Sequence, residues 1–148
     1  MTEERKEHLE KILASGLSAA DPGEAVRRLL YVEGGEVRVE EQSFSAKRVF
    51  VFAAGKAAGP MASAAVEALG GLVSGGIVVA KDGNDMPGAV REAGLETFFA
   101  AHPEPDERGV QAARRVSERA EYLGEGDLLL CLVSGGASAL LADPHPSV

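Results

Sequence analysis

The spacing of apolar positions changes along this chain, and the changes mark out its elements. Over residues 3–19, Leu9, Ile12, Leu13 and Leu17 recur at helical spacing and predict one amphipathic helix. Asp21-Pro22-Gly23-Glu24 predicts the start of a second, with Asp21 as N-cap, Pro22 at the first helical position and Glu24 where a capping acid belongs. Val26, Leu29 and Leu30 are then expected to face inward, and Gly34-Gly35 to end this helical pair. Further on the period shortens. Val37-Arg38-Val39-Glu40 alternates, which suits a short strand. The runs 48–53, 75–80, 95–99 and 127–133 are short and largely apolar, as buried strands are. Between them Met61, Ala64, Ala65, Ala68 and Leu69 predict a helix. Val110, Ala113, Val116, Ala120 and Leu123 predict another over 106–123. The polar segment 81–94, with Gly83, Pro87 and Gly88, reads as a loop or short connector.

Buried strands separated by helices imply an α/β fold, a parallel sheet with helices on both faces. The expected organisation is one domain over 1–148, with a helical lead-in at 3–33 and the sheet with its helices at 37–148. At 148 residues and 45% hydrophobic, the chain can bury a core. Aromatics are 5% and Trp is absent, so Ala, Val and Leu must build that core.

A net charge of -8 argues against nucleic-acid and anionic-membrane partners. It leaves room for a small anion in one local pocket. The single cysteine, Cys131, lies inside the last apolar run and is expected to be inert buried packing. The start of the chain is charged, and no stretch approaches 18 apolar residues, so a soluble cytoplasmic protein is expected. His8, His102 and His145 are far apart, without clustered carboxylates or thiols, and no protein metal site is expected.

Ligands of open parallel sheets bind beyond the carboxyl ends of the strands. Three motifs fall there. Gly55-Lys56 follows the first long strand. It lacks the glycine spacing and the Ser or Thr of a Walker A loop, and its bland reading is a glycine turn with a solvated lysine. Yet a lysine at a helix start opposes the helix dipole, which favours a ligand role for a negative group. His102-Pro103-Glu104-Pro105-Asp106-Glu107 is a proline-stiffened turn. Asp106 reads as a structural cap for the following helix, and His102 could orient a substrate or move a proton. Ser134-Gly135-Gly136-Ala137-Ser138 follows the last strand. Leu132 stands where a nucleophile elbow needs glycine, so an anion-holding loop opening a helix is the better reading, against a plain tight turn. No Gly-x-Gly-x-x-Gly fingerprint follows any strand.

The ordered set Ala54-Gly55-Lys56-Ala57 with Met61-Ala62, then His102-Pro103-Glu104-Pro105-Asp106-Glu107, then Ser134-Gly135-Gly136-Ala137-Ser138-Ala139-Leu140 resembles the glycerate 2-kinases, formerly often labelled hydroxypyruvate reductases. Ala101 and Ala137 depart from glycines common in that family. The resemblance implies the Rossmann-like amino-terminal α/β domain of a longer enzyme, incomplete without its carboxy-terminal domain. It implies ATP-dependent phosphorylation of D-glycerate to 2-phosphoglycerate, with ATP and Mg²⁺ as cofactors. Lys56 takes the place of the active-site lysine, while Gly55, His102, Ser134, Gly135, Gly136, Ala137 and Ser138 bind substrate or phosphate. This part alone is expected to be inactive and to expose an apolar patch where the second domain docks; a homodimer is compatible with it. A hydroxypyruvate oxidoreductase and a non-catalytic phosphate- or nucleotide-binding module are the alternatives.

Overall fold

The computed structural model describes residues 2–143, so His145 and the end of the expected domain lie outside the described residues. Helix α1 (Glu3–Ala19) forms where the apolar stripe predicts it, with Glu3 and Glu4 favouring its positive end. It buries no residue. Leu9, Ile12, Leu13 and Leu17 are 55–66% exposed, an apolar face without a partner among the described residues. Helix α2 (Pro22–Leu29) starts as the sequence predicts: the Asp21 carboxylate accepts from the Glu24 amide at 2.8 Å, with Pro22 in the first turn.

The expected helical lead-in at 3–33 is corrected at its end. Helix α2 stops at Leu29, and strands β1 (Leu30–Glu33), β2 (Glu36–Val39) and β3 (Gln42–Phe44) form an antiparallel meander. Gly34 and Gly35, with φ of 60° and 83°, make the β1–β2 hairpin turn and do not end a helix. Leu30 and Val37 are buried, but Leu29 is 42% exposed and not inward-facing.

The main sheet comprises β4 (Arg48–Ala54), β5 (Val73–Lys81), β6 (Glu96–Ala100) and β7 (Asp127–Val133) in the order β6-β5-β4-β7, all parallel. Helix α3 (Ala58–Leu69) links β4 to β5 through a 3₁₀ turn, and the short α4 (Gly88–Glu92) lies within the expected connector before β6. Helix α5 (Glu107–Glu121) precedes β7, and one turn, α6 (Ala137–Leu140), follows it.

Alternate residues of the central strands feed two cores. Val49, Val51, Ala53, Val78 and Ala80 pack with Ala58, Ala62, Ala65 and Leu69 of α3. Phe52, Ala54, Ile77 and Val79 pack on the other side with Ala112 of α5 and Ala137 and Leu140 of α6. Small alanines let the helices approach the sheet closely, which is how a chain poor in aromatics fills its interior. The described helices include none long and apolar enough to cross a membrane.

Strand β7 corrects the expectation of full burial. Among the described residues it is the edge of the sheet: Leu128, Leu130 and Leu132 pack against the α3-side core, while Leu129, Cys131 and Val133 are exposed. Cys131 is therefore on an open face, not buried packing. Partial desolvation still pushes its thiol above the ordinary range, so it is not a reactive thiolate.

Candidate functional site

Strand order dictates where the chain can bind a ligand. From β4 the connections step outward to β5 and β6, then the chain crosses back and lays β7 on the other side of β4. The loops leaving β4 and β7 lead to helices on opposite faces of the sheet, α3 on one and α6 on the other, and the crevice for a ligand lies between them at the carboxyl ends of the two strands. Gly55-Lys56 and Ser134-Gly135-Gly136 are the residues at that crevice.

Hydrogen bonds tie the two loops together. The Ser134 amide donates to the Ala54 carbonyl at 2.9 Å, and the Lys56 amide donates to the Gly135 carbonyl at 3.0 Å. The Ser134 hydroxyl accepts from the Ala57 amide at 3.1 Å and lies 3.4 Å from the Ala54 carbonyl. Gly55 has φ 120°, and a Cβ there would fall 2.2 Å from Ser134 Oγ and 2.6 Å from the Ser134 carbonyl oxygen. Only glycine permits this approach.

Gly136 brings in the third motif. Its φ is 92°, and a Cβ there would lie 2.9 Å from both Cδ2 and Nε2 of His102 and 3.4 Å from Cγ of Lys56. The imidazole, the lysine stem and the Gly135-Gly136 backbone thus share one small volume. Lys56 is exposed, without an ion-pair partner among the described residues, and the amides of Gly135 and Gly136 have no protein acceptor among them either. Ala137 is buried and Ser138 exposed. A positive charge and two free donors in one crevice suit an anion.

One part of the sequence reading changes. The Ser134–Ser138 loop opens α6, which is a single turn of 4 residues and too short to supply much dipole. The longer helix starting at the crevice is α3, and its N-cap amide, Ala57, is already satisfied by Ser134.

The loop carrying His102 is held from below. The Asp106 side chain caps α5 by accepting from the Gly109 amide at 3.3 Å. Arg108 donates to Asp106 at 2.7 Å and makes two bonds to Asp82, at the carboxyl end of β5, at 2.8 and 2.5 Å. Burial works to raise the Asp106 pKa, but the Arg108 guanidinium and the Gly109 amide outweigh it and hold the carboxyl below its usual range. Sequence reasoning missed Asp82 and Arg108. It also missed Asn84, whose side-chain amide donates to the Lys56 carbonyl at 2.8 Å. Both Asp82 and Asn84 follow β5, the one long-strand end without a conspicuous motif.

A groove of about 260 Å³ lined by Ala25, Val26, Leu29, Met61 and Leu130 shares no residue with this cluster and offers no convergent polar group. It is apolar surface beside β7, not part of the site.

Residues 8–148 match the family described as a domain of unknown function, DUF4147. The chain belongs to that family. It is 36% identical over 138 residues to the D-glycerate 2-kinase of Thermotoga maritima, covering 93% of this chain and 30% of that protein. Among solved structures, a Pyrococcus horikoshii protein superposes with a TM-score of 0.82 at 29% identity, over 100% of this chain and 33% of that one. The glycerate kinase of Thermotoga maritima superposes with a TM-score of 0.77 at 33% identity, over 99% and 32%. The chain spans about a third of the length of the proteins it matches.

Proposed function

We propose that this chain supplies the anion-binding part of a D-glycerate 2-kinase active site, in a cytoplasmic enzyme that moves the terminal phosphoryl group of ATP to the 2-hydroxyl of D-glycerate. The observation that carries this reading is the convergence of Lys56, His102 and the free amides of Gly135 and Gly136 at the crevice between β4 and β7. Similarity to a protein named D-glycerate 2-kinase over 93% of the chain supports the choice of substrate.

The chemistry asks for what the crevice offers. Phosphoryl transfer proceeds mainly through positioning and neutralisation of charge, with little covalent work for the protein. The Lys56 ammonium, a compact charge on a flexible stem, neutralises a phosphate or the glycerate carboxylate. The Gly135 and Gly136 amides, and the Ser138 hydroxyl beside them, orient phosphate oxygens. His102 contacts the acceptor side. Magnesium, when bound, offsets charge on the phosphates. The carboxylates Asp82 and Asp106 are both committed to Arg108, while Asp85, beside Asn84, has no ion pair among the described residues and would be free to help hold the ion. The chain spans about a third of the relatives it matches, so the 148 residues alone are expected to bind ligands weakly and not to turn over.

A chimera tests the proposal: this chain replaces the matching 30% of the Thermotoga maritima D-glycerate 2-kinase. The expected result is ADP formation that needs D-glycerate and falls at least ~100-fold with Lys56→Met, as loss of a charge-stabilising group does. Activity indifferent to Lys56→Met would refute the role given to the crevice. NADH formation from glycerate without ATP would replace the kinase by an oxidoreductase. If the chimera does not fold, calorimetric titration of the 148-residue chain with MgADP, with and without Lys56→Met, decides the anion-binding part.

A further inference from the structure

A serine at the head of a glycine-rich anion loop would ordinarily be read as a ligand of that anion, but here its hydroxyl faces the protein. The Ser134 Oγ accepts from the Ala57 amide at 3.1 Å, and its proton is directed at the Ala54 carbonyl, 3.4 Å away. Both partners belong to the connection between β4 and α3, on either side of Gly55-Lys56. Gly55 lets that hydroxyl come close enough, since even a methyl group would collide with it. The Lys56 backbone is also pinned at both ends: its amide donates to Gly135 at 3.0 Å, and its carbonyl accepts from Asn84 at 2.8 Å. By contrast the Lys56 ammonium has no ion-pair partner among the described residues. A fixed backbone under a free ammonium restricts where the charge can go, which lowers the ordering cost of binding.

We propose that Ser134 and Asn84 are positioning residues that act through Lys56, holding its backbone so that the ammonium reaches the crevice, and that the Ser134 hydroxyl is not itself an anion ligand. This rests on the reading of Lys56 as the charge that meets the anion. Gly135 and Gly136 are left to supply the hydrogen bonds to the ligand.

The test is a double-mutant cycle read by nuclear magnetic resonance on the labelled chain, with ADP as probe. Ser134→Ala is expected to weaken ADP binding about tenfold and Asn84→Ala about threefold, the scale of a lost hydrogen bond. Ser134→Thr should restore most of the loss. In the Lys56→Met background neither alanine substitution should weaken binding further, because contributions routed through one group are not additive. Equal losses in both backgrounds would make Ser134 a direct ligand and overturn the proposal, as would no loss in either. A second readout needs no ligand. Ser134→Ala should move the Lys56 side-chain methylene resonances and speed exchange of the Ala57 amide. If the wild-type chain ignores ADP while these signals respond, the reading of the crevice as a nucleotide phosphate site fails and the hold on Lys56 stands. If they stay put, the hold fails.

Discussion

The two ends of the four-stranded sheet are built from the same kinds of residue and use them differently. At the amino end Arg48 grips Asp127 with bonds of 2.7 and 2.8 Å, and Glu96 is held by Arg115 and Arg119 at 2.6–2.9 Å. These five charges are paired off between strands and helix, while the exposed Lys47, next to Arg48 and away from the crevice, stands without an ion pair among the described residues. At the carboxyl end Arg108 is likewise spent on Asp82 and Asp106, but Lys56 has no ion-pair partner among the described residues and stands beside His102 and two free amides. A pair that is complete serves the fold. A charge left over where strand order opens a crevice is available to a ligand.

The largest effect should come from breaking the carboxyl end sterically. Gly55→Ala puts a methyl group against the Ser134 hydroxyl and carbonyl from a backbone at φ 120°. It should cost about 2–4 kcal/mol, the range of overpacking combined with backbone strain, measured by urea unfolding. ADP binding should go with it.

Two single substitutions then set the ends against each other. Lys56→Met should change stability by less than about 0.5 kcal/mol, as exposed substitutions do, while ADP binding weakens at least about tenfold but stays measurable. Arg48→Met should do the reverse: it leaves Asp127, whose side chain is 7% exposed, without its partner, so Tm falls while ADP binding is unchanged. If both variants move the same quantity, the division between the two ends is wrong.

Acid sharpens the same contrast with a smaller effect. Hydrogen bonds from Arg48, helped by the Gly124 amide, hold Asp127 at about 2. Hydrogen bonding to Arg115, opposed by burial and reinforced by Arg119, holds Glu96 at about 2. Both folded values lie below those of the unfolded chain, about 4. The stability they contribute is therefore complete above about pH 4 and disappears as pH falls through about 2. Unfolding midpoints followed from about pH 5 to pH 2 should drop, and the drop should be shallower in Asp127→Asn and in Glu96→Gln. Lys56→Met should leave the curve's shape unchanged.

Much of this was legible because period and position on the sheet are sequence properties. The four parallel strands and the helices α3 and α5 fall where apolar runs and stripes put them, since burial on both faces demands uninterrupted apolar residues. What failed depended on context outside a short window. Both α1 and α5 carry apolar residues at helical spacing, the stripe of α5 being much the sharper, yet among the described residues one is bare and the other half covered, because periodicity states what a helix can bury and not what is there to cover it. The run 128–133 reads as interior, but the strand order of the described residues leaves it at an edge. Gly34-Gly35 between alternating residues is a hairpin signal that the preceding helical stripe outweighed. At the site, Lys56, His102 and the Ser134 loop were visible from their strand ends. Asn84 and Arg108 were not, because each matters through a partner 26 or 28 positions away.

The most direct test of the account is an amide-resolved titration of the wild-type chain with ADP. The account predicts that the largest shifts fall on Lys56, Ala57, His102 and Gly135 to Ser138, with Arg48, Glu96 and Asp127 unmoved. Saturable shifts confined to the amino end of the sheet or to the apolar groove beside β7, or none at millimolar ADP, would contradict it.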